Sequence, residues 1–170
     1  GNTIMEYCAL SLGTPFFHVY QFITYMFLHV NFEHIFFNMF ALWMFGRTLE
    51  YELGQKRFLT YYMVCGIGAA LIQYLTALAF GEFPLVLVGA SGAVMGLLLA
   101  FGVLHPNAVI MLLIPPIPMK AKWFVVIYGV IELFLGWRGV GNVAHFAHVG
   151  GMLWGFLLLQ WWKQRGIIRF

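Results

Sequence analysis

Few residues in this chain are able to do chemistry, and three short groups of them stand out. Gly89-Ala90-Ser91-Gly92 opens an apolar run. A helix start leaves free backbone N–H groups and the positive end of the dipole pointing outward. A serine placed there has donors around it for a developing oxyanion. Ala147-His148-Val149-Gly150-Gly151 carries a histidine into a second apolar run, and histidine's unperturbed pKa near neutrality suits a general base. His148, Gly151 and Gly155 fall at i, i+3 and i+7 and share a helix face, where small residues let another backbone approach. His34 and Asn38 fall at i and i+4 on one face of a third run. Their side-chain donors suit an oxyanion as well.

Each group also has a plainer reading. Ser91 fits a cap, and Gly92 with Gly96 forms a GxxxG packing pair. His148 fits a bond to a backbone carbonyl of a neighbouring helix, and His34 and Asn38 fit bonds between helices. A metal site on His145 and His148 is short of ligands, because the chain has no Asp and only six Glu. No metal and no other cofactor is therefore expected. The absence of Asp also excludes a Ser-His-Asp triad, paired aspartates and an EF-hand.

The elements that must hold these groups follow from composition. Of 170 residues, 62% are hydrophobic and 9% charged, and the mean hydropathy is +0.87. A soluble domain carries about 25% charged residues. This chain cannot cover a globule with polar side chains, which excludes a soluble single domain. Cys8 and Cys65 fall in a connection and mid-span, so no disulfide framework is expected. The nine Lys and Arg form no basic stripe, and nucleic acid is not an expected partner.

The hydrophobic runs predict an all-α membrane bundle with five spanning helices at about 34–45, 58–80, 90–104, 123–137 and 144–162, within one domain covering 1–170. Gly46-Arg47 ends the first and Gly81-Glu82-Phe83-Pro84 the second. Residues 106–119, with Pro115, Pro116 and Pro118, read as a membrane-proximal loop. Residues 1–33 are aromatic but interrupted and contain no confident span. With the 47–57 connection inside, every basic residue except Arg138 lies inside, as the positive-inside rule prefers. His34, Ser91 and His148 then all lie near the outer face.

Together the three groups resemble the rhomboid intramembrane serine proteases. The matching marks are His34-x-x-x-Asn38, then Gly89-Ala90-Ser91-Gly92, then Ala147-His148-Val149-Gly150-Gly151 with Gly155, in the family's order and along essentially the whole chain. The resemblance implies a serine endopeptidase with a Ser-His dyad and no acid. Ser91 is then the nucleophile and His148 the general base, while His34, Asn38 and the Ser91 backbone N–H stabilise the oxyanion. It implies transmembrane proteins as substrates, cut in or near their helices, and the lipid bilayer as surroundings.

By the same resemblance, 1–33 is an outer interfacial loop, to which Phe16, Phe17, Tyr20, Phe22, Tyr25 and Phe27 suit, and 123–137 is the lateral gate helix. The expected setting is a bacterial inner membrane, with the active site near the outer face and the C-terminus cytoplasmic. Two departures stand beside the likeness. Met95 occupies the position four residues after the serine where the family often has an aromatic. The family core has six spans, so its first helix is expected to precede Gly1. The competing readings are a catalytically silent rhomboid-like escort protein and a small channel or transporter.

Overall fold

The computed structural model of the chain describes residues 3–112, 115–139 and 144–170. Its first part is a set of short elements: α1 (Thr3–Cys8), β1 (Leu10–Leu12), α2 (Gln21–Thr24) and a single 3₁₀ turn at Tyr25–Phe27. Asn31 then starts the first long helix, α3 (Phe32–Leu53). Its backbone is extended and its side-chain oxygen accepts the His34 N–H at 2.8 Å, the arrangement that satisfies an orphan donor of a first turn. Gly54 separates α3 from α4 (Gln55–Phe80). After β2 (Leu85–Leu87) come α5 (Ser91–Leu104), the hairpin strands β3 (Val109–Met111) and β4 (Pro118–Lys120), α6 (Ala121–Arg138) and α7 (His145–Gln164).

α4, α5 and α7 form the centre, and glycines let them approach. A Cβ at Gly92 would overlap the Ala69 side chain, one at Gly96 the Cys65 sulfur, and one at Gly155 the Tyr61 hydroxyl. Tyr61 is fully buried and its hydroxyl donates to the Gly96 carbonyl at 2.8 Å. α3 and α6 pack on the outside of this group. Their outward faces remain apolar, including the ring stack Phe32, Phe36, Phe40 on α3, continued by Trp43.

Several boundaries depart from expectation. α3 runs through Gly46-Arg47 to Leu53, and α4 starts at Gln55, so the polar 47–57 stretch is almost entirely helical. Gly46 is a packing position rather than a stop: a Cβ there would meet Phe58 Cζ at 3.3 Å. The fold is also mostly helical rather than all-α. β3 and β4 pair antiparallel within the stretch read as a loop, with Ile110 opposite Met119, and β1 pairs with β2, with Ser11 opposite Val86. Among the described residues, α4 alone is both long and apolar enough by itself to cross a membrane; α5 is apolar but has 14 residues.

Residues 3–28 are better organised than an interrupted aromatic stretch suggested. Gln21 is completely buried. Its amide nitrogen donates to the Tyr7 and Phe16 carbonyls at 3.1 and 2.8 Å, and its oxygen accepts the Ser11 and His18 N–H groups at 3.1 and 3.2 Å. Tyr25, read as an interfacial aromatic, is buried, and its hydroxyl donates to the Gly66 carbonyl of α4 at 2.6 Å. Gln21→Leu should therefore loosen this segment selectively. It orphans four backbone groups at a cost of about 1–3 kcal/mol for each one left buried. Amide exchange should accelerate across residues 7–21 while α4 and α5 remain protected, and uniform protection would contradict the assignment.

Candidate active site

Ser91 is the first residue of α5, and the backbone before it is shaped to expose it. Gly89 has φ +119°, a conformation L side chains rarely adopt, and its N–H donates to the Tyr25 carbonyl at 2.9 Å. A Cβ at Gly89 would lie 2.6 Å from His34 Nε2 and 3.8 Å from Ser91 Oγ. The glycine is thus what allows the His34 ring to lie against the turn that delivers the serine.

His148 sits in the first turn of α7, and its placement rests on the glycine seam. A Cβ at Gly151 would overlap the Gly92 carbonyl oxygen, and one at Gly150 would lie 2.7 Å from Ile72 Cβ. α5 and α7 are therefore in backbone contact beside the two side chains. A buried amide fixes the start of α7: Gln73 of α4 accepts the Ala147 N–H at 3.0 Å. The result is a His148 Nε2 to Ser91 Oγ distance of 2.9 Å. His148 is 8% exposed and Ser91 half-buried. A hydroxyl hydrogen-bonded to an imidazole nitrogen, with free helix N–H groups around it, is an arrangement able to attack an acyl carbon.

His34 and Asn38 lie one turn apart on α3. Asn38 is buried, and its Nδ2 has no hydrogen-bond partner among the described residues. A buried unpartnered donor is costly and calls for a reason. The Val30 N–H approaches His34 Nδ1 at 3.5 Å, and the His29 ring meets the His34 ring edge-on at 4.9 Å. Burial first, and His34 second, push the His29 imidazole below its ordinary range.

One neighbour escaped the sequence reading. Glu132 of α6 is 4% exposed, and its Oε2 lies 2.6 Å from His145 Nδ1 and 3.1 Å from His148 Nδ1. The first contact is a well-formed hydrogen bond. The second is within ion-pair range but off the hydrogen-bond line, and His148 Nδ1 has no aligned acceptor among the described residues. The only early signal was an acid in the middle of an apolar helix, where an ionisable group needs a partner. Glu132, His145 and His148 are also the one group of described residues able to converge on a metal, their ligand atoms lying within 4.8 Å of one another. The shortage of ligands argued from composition is thus partly relieved by the fold.

Comparison with known proteins adds an independent line. Residues 17–163 match the model of the Rhomboid domain family. The chain is 34% identical over 146 residues to "Rhomboid protein 1, mitochondrial" of Saccharomyces cerevisiae, covering 83% of this chain and 41% of that protein. It is 32% identical over 154 residues to "Presenilin-associated rhomboid-like protein A, mitochondrial" of Danio rerio, covering 85% and 39%. Over 78 residues it is 41% identical to "Rhomboid-like protein 11, chloroplastic" of Arabidopsis thaliana, covering 46% and 26%. The chain spans about two fifths of the length of the yeast and zebrafish relatives. These relatives belong to organelles, which overturns the expectation of a bacterial inner membrane, together with the outer-face and cytoplasmic labels attached to it. A membrane setting is consistent with all of them.

Proposed function

The chain belongs to the rhomboid family, and from that premise we propose that it is a serine endopeptidase that cuts transmembrane proteins within or near their membrane segments. The observation that carries the reading is the 2.9 Å contact between Ser91 Oγ and His148 Nε2. Ser91 attacks the scissile carbonyl carbon while its proton passes to His148 Nε2. The oxyanion that forms is held by the Ser91 backbone N–H, Asn38 Nδ2 and His34 Nε2. The C–N bond then breaks as His148 returns the proton to the leaving nitrogen, giving an acyl-Ser91 ester. A water molecule, deprotonated by His148, hydrolyses the ester and regenerates both side chains.

The membrane placement belongs to the same proposal. α3, α4, α5, α6 and α7 are the five spans. α5, with 14 residues, is about 21 Å long at 1.5 Å per residue, short of the roughly 30 Å hydrocarbon core. It is enclosed by longer neighbours of 22, 26, 18 and 20 residues. A short central helix puts Ser91 below the surface of the bilayer, where water from one side reaches it. The apolar outward faces of α3 and α6 meet lipid. The chain forms one domain, in which the short elements before α3 make up an interfacial segment.

The deciding experiment incubates the protein in liposomes with a fluorophosphonate and with a panel of transmembrane reporters. Labelling and cleavage, both lost in Ser91→Ala, are expected. A protein that binds the reporters but neither cuts nor labels would be an escort, and would overturn the proposal. Asn38→Ala should lower kcat by about ten- to a thousandfold, as removal of a single oxyanion donor does. Wild-type kcat and KM in that variant would make Asn38 structural.

A further inference from the structure

We infer that Glu132 is a positioning residue behind His148, so that a buried carboxylate supports the Ser91–His148 dyad from the far side of the imidazole. The inference rests on the assignment of Ser91 and His148 above. Its ground is geometry: the two ring nitrogens of one imidazole face, on one side, Ser91 Oγ at 2.9 Å and, on the other, Glu132 Oε2 at 3.1 Å. Three helices, α5, α7 and α6, supply one residue each. Composition excluded an aspartate but not a glutamate, and the glutamate comes from a helix with no motif of its own.

Nδ1 of His148 is buried with no aligned acceptor among the described residues. For Nε2 to accept the serine proton, Nδ1 must carry the hydrogen in the neutral ring. The nearby Glu132 oxygen is then its acceptor, reached by a small realignment of two side chains already in ion-pair range. Active-site hydrogen bonds of this kind are often poorly aligned before substrate binds. When Ser91 attacks, Nε2 takes the proton and the imidazolium faces the carboxylate, which keeps its charge and accepts no proton. No atom is consumed, and the ring returns to neutral when the leaving nitrogen is protonated.

The surroundings prepare Glu132 for this work. His145, one turn before His148, binds the same oxygen at 2.6 Å, which keeps the carboxylate in place. Tyr128, one turn before Glu132 on α6, also faces the carboxyl. Among the described residues, Ser91 from α5, the His145 ring on α7 and, beside Gly89, His34 from α3 also lie around His148. α4 contributes the neutral Gln73, bonded to the backbone at Ala147. Among these groups Glu132 is the one anion.

The test compares wild type, Glu132→Gln, Glu132→Asp, Ser91→Ala and His148→Ala in liposomes, reading kcat, KM and the pH profile. Glu132→Gln should lower kcat on the order of a hundredfold with little change in KM, since the amide offers a donor or a neutral oxygen where an anion was. The acid limb of its profile should move to lower pH, as expected when an imidazolium loses an adjacent anion. Glu132→Asp should recover part of the rate. A Glu132→Gln enzyme with wild-type kcat and profile, or one merely less stable with an unmoved profile, overturns the inference. Cleavage by Ser91→Ala or His148→Ala overturns instead the assignment beneath it. If Glu132→Gln fails to fold, Glu132→Asp carries the decision alone through its profile.

Discussion

Ser91→Ala and His148→Ala should each reduce cleavage of membrane reporters to background while the purified proteins retain their helical fold. The two side chains act as one unit: without the base the hydroxyl is a poor nucleophile, and without the hydroxyl the base has nothing to activate. Either loss should therefore cost nearly the whole catalytic effect, and the double variant should be no worse than the singles. The fold is expected to survive for separate reasons. Ser91 is small and only half-buried, and no side chain depends on it as a cap. Removal of His148 does not strand the Glu132 charge, because His145 still holds that carboxylate at 2.6 Å. Circular dichroism and melting in detergent give the fold, and reporter cleavage in liposomes gives the activity. Substantial cleavage by either folded variant would exclude the assignment.

What could be read from the chain beforehand divides along a physical line. Ser91, His148, His34 and Asn38 could be singled out as candidates because each stands at a defined offset from small residues or helix starts, and local spacing is written in sequence. The glycine seam was legible for the same reason. Gly92 and Gly96, and Gly151 and Gly155, are four apart, and the structure places each of them against a neighbouring helix. Gly46 misled for the converse reason. The same residue type that ends a helix also admits a ring, and only tertiary context reveals that Phe58 comes to lie against it. The helical path through 47–53 was hidden by its charges, although Leu49 and Leu53 keep one face of it in the core while the charged side chains point away.

Glu132 and Gln21 illustrate a deeper limit. Glu132 reads as an isolated acid, 16 positions before His148, and nothing in α6 points to a partner. Its role depends on how α6 leans on α7, which is set by many contacts of ordinary kind. Gln21 looks like one polar residue among aromatics, yet its amide binds four backbone groups of the surrounding loop. Such side chains have no period and no motif. Their signal is the cost of burying them, which becomes visible once burial is known.

Gly151→Ala should be among the most damaging single-methyl changes available in this chain, in both stability and activity. A Cβ at Gly151 would overlap the Gly92 carbonyl oxygen and come within 2.7 Å of its carbon. Backbone cannot rotate aside as a side chain can, so α5 and α7 must separate. The cost should reach about 3 kcal/mol, the upper end for overpacking. Activity should fall further than stability does. Ser91 adjoins Gly92 and His148 lies one turn before Gly151, so the displacement opens the 2.9 Å contact directly. A misplacement of 1 Å in a reacting pair can cost on the order of a hundredfold. Gly129→Ala on α6 is the matched control. Among the described residues its Cβ would meet only the flexible end of Met152, the methyl at 3.3 Å and the sulfur at 3.8 Å. Replacing glycine inside a helix also gains up to about 1 kcal/mol, so that variant should melt at or above wild type and retain activity. Fluorophosphonate labelling rates of the folded fractions, measured beside melting, separate a displaced serine from a lost fold. If Gly151→Ala melts and labels like wild type, α5 and α7 do not meet at Gly92, and the packing that brings Ser91 to His148 would need another origin.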